Sequence, residues 1–564
     1  MSSINLENLT MPESTSYVCL FRNCYELESV KLPKNATIIH SLIFDGCYNL
    51  KNVDIPDTVT TIGFCAFQDC GIESITLPSS LTTIGEEAFG KCTNLESITI
   101  PDSVTIIDEG AFKGCTKLKN ITLSSSLTTI SKEAFCNCTE LESIIIPDSV
   151  ISIDEAAFKG CTKLKNITLP SSLTTISKEA FCNCTELESI NIPDGVISIW
   201  TKAFKNCTSL KSIKIPDSVE DISFYAFKGC KNLKDITIPN SVTLIDLSVF
   251  ENCESLEHIK LPEKVTEIRN SAFEGCRSLK NITMPDTITA IGEHAFSECT
   301  SLEDIKIPES AKDIRCNAFS GCKKLTDITI PNGTLVICDS EFENCESLKQ
   351  VKLPDSVKKI TNCAFSGCRS LKNITLPNAL ISIGCYAFDE CISLESIEIP
   401  YGTTDIGHYA FHQCESLKSI TLPNSLYYIG AHAFNNCESL GHIKLPDSID
   451  NIYNNTFAGC SSLEYITIPD AVKNIGSYAF SECKSLENLE IPYGVTDIGF
   501  MAFYNCKNLK NITIPTSLNY INSYAFSECE SLETVTIISD CTSKIIDVRE
   551  LDLDTMDQWI FLLF

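Results

Sequence analysis

Thiol chemistry is the first subject that this sequence raises, because 32 of its 564 residues are cysteines. Twenty-three of them lie three residues after a phenylalanine and return about every 23 residues, as Cys115 follows Phe112. These two series are called the ladder cysteines and the ladder phenylalanines. A side chain that recurs at one place in every repeat must face the core, where a free cysteine behaves as a small hydrophobic residue. Parallel side chains on neighbouring repeats suit disulfide geometry poorly, so we expect buried, reduced thiols.

Nine other cysteines do not follow this spacing, and four of them fall in consecutive repeats just before the ladder phenylalanine. These four are Cys316, Cys338, Cys363 and Cys385. A redox or zinc site is one interpretation. Their offsets from the phenylalanine are three, four, two and three residues, which does not indicate converging ligands. Scattered loop thiols are the simpler interpretation.

Catalytic and metal-binding patterns are not evident elsewhere in the sequence. His408, His412 and His432 are close in sequence, but their spacing is not repeated and no carboxylate is clearly placed to complete a site. They are predicted to be surface histidines. No Walker loop, dinucleotide fingerprint, HExxH or GxSxG motif occurs in a suitable context. We therefore expect a protein that is not an enzyme and that uses no cofactor and no metal.

The first candidate binding surface is a stripe of aromatic residues and one methionine, two positions before the ladder phenylalanine. Such residues are enriched at the centres of protein interfaces. Earlier repeats carry Glu87, Glu133 and Glu179 at this position, which indicates an exposed site that tolerates change. Packing along the edge of the repeat is the alternative interpretation. The stripe consists of Tyr386, Tyr409, His432, Tyr478, Met501 and Tyr524.

The second candidate surface is a line of lysines that alternate with threonines on the predicted strands. In an otherwise acidic chain, such a line could dock acidic protein segments. The candidate residues are Lys260, Lys306 and Lys352.

The repeat that positions these residues has the pattern AFxxCxxLxxIxIPxxVxxIxxx. Ile98 and Ile100 alternate with polar residues, which indicates a strand with one buried face, and Pro101 ends that strand. The segment around Phe112 is too short for more than a helical turn. The sequence thus predicts an α/β, β-rich solenoid of 23-residue rungs, with one long parallel sheet along one side and short helical turns on the other.

The repeats run without interruption from Phe21 to Phe526, apart from a one-residue deletion at Gly71. We therefore predict one domain, with a degenerate capping rung at 1–23, the solenoid at 24–538 and a C-terminal cap or tail at 539–564. The apolar run Trp559–Phe564 is predicted to close the last rung, the alternative being a truncated anchor.

One repeat departs from the pattern, because Glu341 stands where other repeats have alanine beside the ladder phenylalanine. Burial of a carboxylate is costly. We expect the Glu341 side chain to turn outward, with a local distortion.

The recurring residues LxxIxIPxxVxxIxxxAFxxC resemble the BspA-like class of leucine-rich repeat, found in surface antigens of bacteria and mucosal protists. The resemblance covers roughly residues 9–538. It implies a leucine-rich-repeat solenoid that acts as a surface or exported adhesin-like antigen and binds host or microbial proteins. Secreted members begin with a signal peptide, whereas Met1–Asn8 shows no basic region and no apolar segment. An intracellular protein-interaction scaffold is therefore the alternative, and the compartment stays open.

Bulk composition narrows the kinds of partner. With 43% hydrophobic and 21% charged residues, the chain has the composition of a folded protein. Its formal charge of −29 argues against nucleic acid and anionic membranes as partners, since both attract basic surfaces. No stretch approaches the ~20 apolar residues that span a membrane. We therefore expect partners that are proteins.

Overall fold

The structure is a computed structural model that describes residues 2–8, 19–522, 524–538 and 543–547, the last by backbone only. The predicted closing run Trp559–Phe564 lies outside the described residues. The chain divides into two compact units, Met1–Thr287 and Ile288–Phe564, called unit 1 and unit 2. Each unit is built from the same repeat.

The first strand of each repeat precedes the ladder proline and is usually three residues long. In Ser97–Thr99 the central Ile98 is buried and its two neighbours are exposed, which is the period-two alternation of a strand with one buried face. In unit 1 these strands are Ser3–Asn5, Ser29–Lys31, Asn52–Asp54, Ser97–Thr99, Asn120–Thr122, Ser143–Ile145, Asn166–Thr168, Ser189–Asn191, Ser212–Lys214, Asp235–Thr237, His258–Lys260 and Asn281–Thr283. In unit 2 they are Asp304–Ile305, Asp327–Thr329, Gln350–Lys352, Ser396–Glu398, Ser419–Thr421, His442–Lys444, Tyr465–Thr467, Asn488–Glu490, Asn511–Pro515 and Thr534–Ile538.

A second strand of two residues follows the proline turn, and the sequence pattern did not predict it. In Ile106–Ile107 the second residue is buried. In unit 1 these strands are Ile38–Ile39, Thr61–Ile62, Thr83–Ile84, Ile106–Ile107, Thr129–Ile130, Ser152–Ile153, Thr175–Ile176, Ser198–Ile199, Asp221–Ile222, Leu244–Ile245 and Glu267–Ile268. In unit 2 they are Ala290–Ile291, Asp313–Ile314, Val336–Ile337, Lys359–Ile360, Ser382–Ile383, Asp405–Ile406, Tyr428–Ile429, Asn451–Ile452, Asn474–Ile475, Asp497–Ile498 and Tyr520–Ile521.

Strands of successive repeats pair in parallel, with equivalent residues opposite each other. Ile98 pairs with Ile121, and the deletion at Gly71 shifts the pairing by one residue, so that Thr61 pairs with Thr83. Each sequence position therefore forms a column that runs through a unit. The strand Ser543–Asp547 is the exception, since it pairs antiparallel with Thr534–Ile538.

The predicted short helical turns are wrong, because no residue that the structure describes lies in a helix. The segment around each ladder phenylalanine forms turns whose N–H groups donate to the neighbouring repeat, as Phe112 donates to the Ala134 carbonyl at 2.9 Å. Two residues per repeat also have positive φ, here Gly110 at 62° and Gly114 at 75°. Left-handed residues on both sides of Phe112 are incompatible with a continuous right-handed helix.

The core of each unit is built from columns of identical side chains. Ladder phenylalanine rings stack at centroid distances of 5.4–5.7 Å from Phe21 to Phe273 in unit 1. The corresponding distances are 5.1–5.5 Å from Phe296 to Phe526 in unit 2. Stacked aromatic pairs contribute about 0.5–1.5 kcal/mol beyond their burial.

The ladder cysteines are free thiols, and nearly all of those described are buried, Cys24 being half-buried. They also form a hydrogen bond that the sequence did not indicate. Cys115 Sγ donates to the Phe89 carbonyl oxygen at 3.1 Å, and the same bond recurs at Cys437 with Phe411, again at 3.1 Å. Burial raises the pKa of Cys92 to about 12. The ladder thiol thus satisfies a buried carbonyl while it fills the core.

Candidate functional site

The candidate aromatic stripe belongs to one column, formed by the residues two positions before each ladder phenylalanine and called the edge column. Its members have left-handed backbone conformations, with φ of 59° at Tyr386, 57° at Tyr409 and 59° at His432. A left-handed residue other than glycine is disfavoured by roughly 1–2 kcal/mol. Hydrogen bonds between repeats hold it in place, since Tyr386 N–H donates to the His408 carbonyl at 2.9 Å.

Three of the predicted residues form a continuous stack in unit 2. The rings of Tyr386 and Tyr409 lie 4.6 Å apart, and those of Tyr409 and His432 lie 4.2 Å apart, both nearly parallel. Tyr386 is exposed, whereas the other two residues are half-buried. Neither tyrosine hydroxyl forms a hydrogen bond with the described residues. The stack therefore offers ring edges and hydroxyls, since its inner ring faces cover each other.

The predicted surface histidines are in fact parts of this aromatic cluster. His412 lies edge-on to Tyr409 at 5.5 Å, and its Nδ1 is 2.7 Å from an Asp389 carboxylate oxygen. Burial lowers the pKa of His432, which favours the neutral ring. Within the described residues, no group of three or more metal-ligating side chains converges.

The remaining predicted residues of the stripe form a second aromatic group in unit 2. Tyr478 and Tyr524 both lie edge-on to Phe500, at 5.5 Å and 6.1 Å. Sequence analysis missed Phe500, although it stands immediately before Met501, the stripe residue of its repeat. Asn455 occupies the edge column between this group and His432, so the stripe consists of two groups.

The edge column of unit 1 is mainly ionic. Glu179 accepts hydrogen bonds from Lys159 Nζ at 2.5 Å and from Lys202 Nζ at 3.2 Å. The one aromatic residue of this column in unit 1, Tyr225, lies under Lys228, whose Nζ is 5.3 Å from the ring centroid.

The candidate lysines occupy the third position of first-series strands and are exposed. Lys306 and Lys352 lie in unit 2, where Lys352 pairs in register with Thr329. Lys260 lies in unit 1, and its Nζ is 4.0 Å from the Glu263 carboxylate. A single line through all three remains a prediction.

An open groove of about 640 Å³ on the strand face of unit 2 was not predicted. Exposed Tyr465 and Tyr493 line it, together with the amides of Asn488 and Asn511, which hydrogen-bond to each other at 2.8 Å. The sequence signal was the tyrosine that directly follows the ladder proline in Pro492-Tyr493. The groove adds aromatic surface to the unit that holds the stacked edge column.

Glu341 does not turn outward, which corrects the prediction. Its side chain is fully buried, and its Oε2 accepts the Cys338 N–H at 2.8 Å. The carboxyl curves back onto its own turn, so it obtains one hydrogen bond without leaving the core. Burial raises the pKa of Glu341 to about 8.

No helix in the described part of the chain is long and apolar enough to cross a membrane.

These features define a β-solenoid of the leucine-rich-repeat class, with parallel strands and turns of about 23 residues. A model of the family described as "BspA type Leucine rich repeat region (6 copies)" matches residues 16–142, 128–257, 244–348, 335–464 and 450–546. The chain belongs to this BspA-type leucine-rich-repeat family.

Solved structures include similar proteins. A leucine-rich repeat protein from Bacteroides ovatus is 34% identical, with 62% of this chain and 86% of that chain covered and a TM-score of 0.51. A leucine rich cell surface protein from Faecalibacterium prausnitzii is 25% identical, with 71% and 88% covered and a TM-score of 0.27. A comparison with curated proteins gives no match. The Bacteroides ovatus structure supports the assignment of the repeat fold.

Proposed function

We propose that this protein is a non-enzymatic, protein-binding solenoid and that the edge column of unit 2 is its principal docking surface. The observation that carries the proposal is the stack of Tyr386, Tyr409 and His432, with ring centroids 4.6 Å and 4.2 Å apart. Aromatic residues dominate the binding energy of many protein interfaces. Stacked rings are already ordered, so little side-chain freedom remains to be lost when a partner binds.

The polar atoms of the stack suit a protein partner. The Tyr386 and Tyr409 hydroxyls are available to donate to backbone carbonyls, and the ring edges offer apolar contact. Tyr478, Met501 and Tyr524 extend the same kind of surface further along unit 2. The exposed strand-face tyrosines Tyr465 and Tyr493 add to it.

The lysine line is the second candidate docking surface. Lys306 and Lys352 are exposed, and neither forms an ion pair with another described residue. Their charges would attract acidic segments, with an affinity that falls as salt screens the interaction.

Membership of the family and its surface-antigen members favour a surface or exported adhesin-like role, with host or microbial proteins as partners. The intracellular scaffold is the alternative, favoured by the many free thiols, since reducing compartments preserve them. Labelling of intact cells with an impermeant reagent distinguishes the two. Labelled protein supports the adhesin, and protein that is labelled only after lysis supports the scaffold.

Site-specific photo-crosslinking tests the docking surface. A photoreactive phenylalanine analogue at position 386 of the full chain is expected to crosslink a protein partner from extracts of host or neighbouring microbial cells. The same analogue at position 133, the matched edge-column position of unit 1, is the control. Equal crosslinking at the two positions would contradict the proposal.

Substitutions then separate the two surfaces. Tyr386→Ser, Tyr409→Ser, Tyr478→Ser and Tyr524→Ser together should weaken binding of the crosslinked partner at least ten-fold, with little dependence on salt. Serine is compatible with the column, because Ser271 and Ser340 have the same backbone conformation.

The matched set for the lysines is Lys260→Glu, Lys306→Glu and Lys352→Glu, since Glu398 and Glu490 already occupy that column. This set should leave the affinity within about two-fold. A larger loss from the lysine changes, together with a strong salt effect on the native complex, would assign docking to the lysine line.

A further inference from the structure

The turn that carries Glu341 breaks one hydrogen bond of the repeat. At the position four residues before the ladder phenylalanine, the N–H normally donates to the carbonyl of an isoleucine 24 residues earlier. Arg315 donates to Ile291 at 3.0 Å, and Thr361 donates to Ile337 at 3.0 Å. The equivalent Cys338 N–H donates instead to Glu341 Oε2 at 2.8 Å.

The thiol of Cys338 replaces the missing bond. Its Sγ donates to the Ile314 carbonyl oxygen at 3.3 Å, so the carbonyl that lost an N–H partner is satisfied by an S–H group. An S–H group is a weak donor. The remaining backbone hydrogen bonds of the turn are regular, since Phe342 N–H donates to the Ala364 carbonyl at 2.9 Å. The joint between these two repeats is therefore weak at Cys338 and ordinary on either side.

Glu341 is poorly compensated in this position. It replaces the alanine of its column, with Ala318 and Ala364 at the equivalent places of the flanking repeats. Its Oε1 has no hydrogen-bond partner within the described residues, and no cation of that part of the chain pairs with the carboxyl. The other titratable or charged groups around the turn are Asp313, Arg315, Cys316, Cys338, Asp339 and Cys363. Of these, Arg315 is paired with the Asp313 carboxylate at 3.3 Å.

We propose that Cys338 is a thiol-modification site for small disulfides and that the protonation state of Glu341 gates its access. While Glu341 is neutral, the turn stays closed and the thiol is held against the Ile314 carbonyl. An ionised Glu341 would be a buried charge without a counter-ion, which a protein interior does not tolerate. The lowest-energy response is local: the turn opens at its weak joint, the carboxylate reaches water and Cys338 is released.

The modification is ordinary thiol–disulfide exchange. In the open turn, Cys338 gives its proton to solvent, and the thiolate attacks one sulfur of the small disulfide. A new bond forms between Cys338 Sγ and that sulfur while the S–S bond of the reagent breaks. The departing thiolate takes up a proton from solvent where its basicity allows. Cys338 is oxidised and the departing half of the reagent is reduced, so no further reactant is required.

The test is a rate measurement on the full chain with 4,4′-dithiodipyridine, a small disulfide that reacts over a wide pH range. Modification of each cysteine is followed by peptide mass spectrometry at pH 6 and pH 9. Glu341→Gln is the matched control, because it keeps the size of the side chain and an oxygen acceptor for Cys338 N–H but carries no charge. The ratio of the Cys338 rate in the native chain to that in the variant cancels the intrinsic pH dependence of thiol reactivity.

We expect this ratio to be near 1 at pH 6 and at least ten at pH 9. The ladder thiol Cys345, buried one repeat away and bonded to the Phe319 carbonyl at 3.3 Å, should stay slow at both values. A ratio that does not change with pH would overturn the proposal. A rise at Cys345 equal to that at Cys338 would also overturn it, because the opening would then not be local. Should Glu341→Gln fail to fold, Glu341→Ala restores the usual residue of the column and provides the same ratio.

Discussion

Unit 1 and unit 2 use the same repeat but differ at its edge column. In unit 1 the column holds Glu179 between Lys159 and Lys202, with carboxylate–ammonium distances of 2.5 Å and 3.2 Å. In unit 2 the equivalent residues Tyr409 and His432 stack at 4.2 Å. The backbone is left-handed at this position in both units. One backbone frame therefore supports either an ionic or an aromatic surface.

The core columns show no such freedom. Ladder phenylalanines stack in both units at nearly the same spacing, and ladder thiols bond to the phenylalanine carbonyl in both. Each core side chain is enclosed by its copies in adjacent repeats, so a change affects two neighbours at once. Edge residues have solvent on one side and can diverge. The difference indicates that binding specificity in this fold resides in the edge column and that stability resides in the core.

The buried carboxyl of Glu341 should produce the largest difference between the units. Its pKa is raised from the usual 4.5 to about 8 by burial, so the folded state holds the proton more tightly than the unfolded chain. Each pH unit between these values then favours unfolding by about 1.4 kcal/mol. The stabilisation is complete below pH 4.5 and is lost as the pH rises towards about 8, with a total loss of up to about 5 kcal/mol. Native-state hydrogen exchange at the Phe319 and Phe342 amides measures it.

Glu341→Ala is the control for this pH dependence, and unit 1 amides such as Phe135 are the internal reference. Both should show no fall of this kind between pH 5 and pH 8. A pH profile that is the same in the native chain and the variant would mean that Glu341 is not responsible.

Loss of one ladder phenylalanine should be almost as large and should be equal in the two units. Phe135 in unit 1 lies between rings at 5.6 Å and 5.5 Å, and Phe411 in unit 2 lies between rings at 5.3 Å and 5.5 Å. Replacing a buried phenylalanine by alanine costs about 3–5 kcal/mol. Phe135→Ala and Phe411→Ala should therefore destabilise their own and adjacent repeats to the same extent, measured by hydrogen exchange. Unequal losses, or loosening far from the substituted repeat, would refute the idea of a common core with nearest-neighbour coupling.

The sequence was sufficient for the repeat, the parallel strands and the core, because burial of one face imposes a strict period on residue type. It was insufficient for the segment around the ladder phenylalanine, where a helical turn was predicted. Glycine and asparagine alternate two residues after that phenylalanine, as at Gly114 and Asn137, and both residues favour a left-handed backbone. That signal would have argued against a helix.

The edge column could be recognised from the sequence, but its contacts could not. Spacing placed Tyr386 and Tyr409 in one column, whereas stacking depends on a side-chain direction that a left-handed backbone sets. Glu341 shows the opposite error. Its cost of burial was judged correctly, but the chain meets part of that cost by taking the Cys338 N–H, which no pattern of residue types reveals.

Acid should loosen the aromatic edge of unit 2 and leave the ionic edge of unit 1 unaffected near neutrality. Burial holds the pKa of His432 below 6.5, with His412 and His408 nearby adding to the effect. The stabilisation from neutral His432 is therefore complete above pH 6.5 and is lost as the pH falls through the lowered value. Hydrogen exchange of the Tyr409 and His432 amides should accelerate in that range. His432→Asn is the control, since Asn455 occupies the next position of the column, and a profile unchanged by this substitution would assign the effect to another histidine.

Salt should distinguish the two edges by the smallest effect. Glu179→Ala removes the carboxylate that pairs with Lys159 and Lys202, and alanine suits the position because Ala156 has the same left-handed conformation. Ion pairs near the surface contribute about 0.2–1 kcal/mol and are screened by salt. Tyr409→Ala in unit 2 removes stacked contacts of about 0.5–1.5 kcal/mol per pair, which depend little on ionic strength. Raising the salt concentration from 0.05 M to 1 M (roughly a three-fold or greater cut in screening length) should therefore shrink the loss caused by Glu179→Ala and leave that of Tyr409→Ala unchanged, as measured by hydrogen exchange in the flanking repeats. If both losses shrink together, the unit 2 edge is also held by charge, and the contrast between an ionic and an aromatic edge fails.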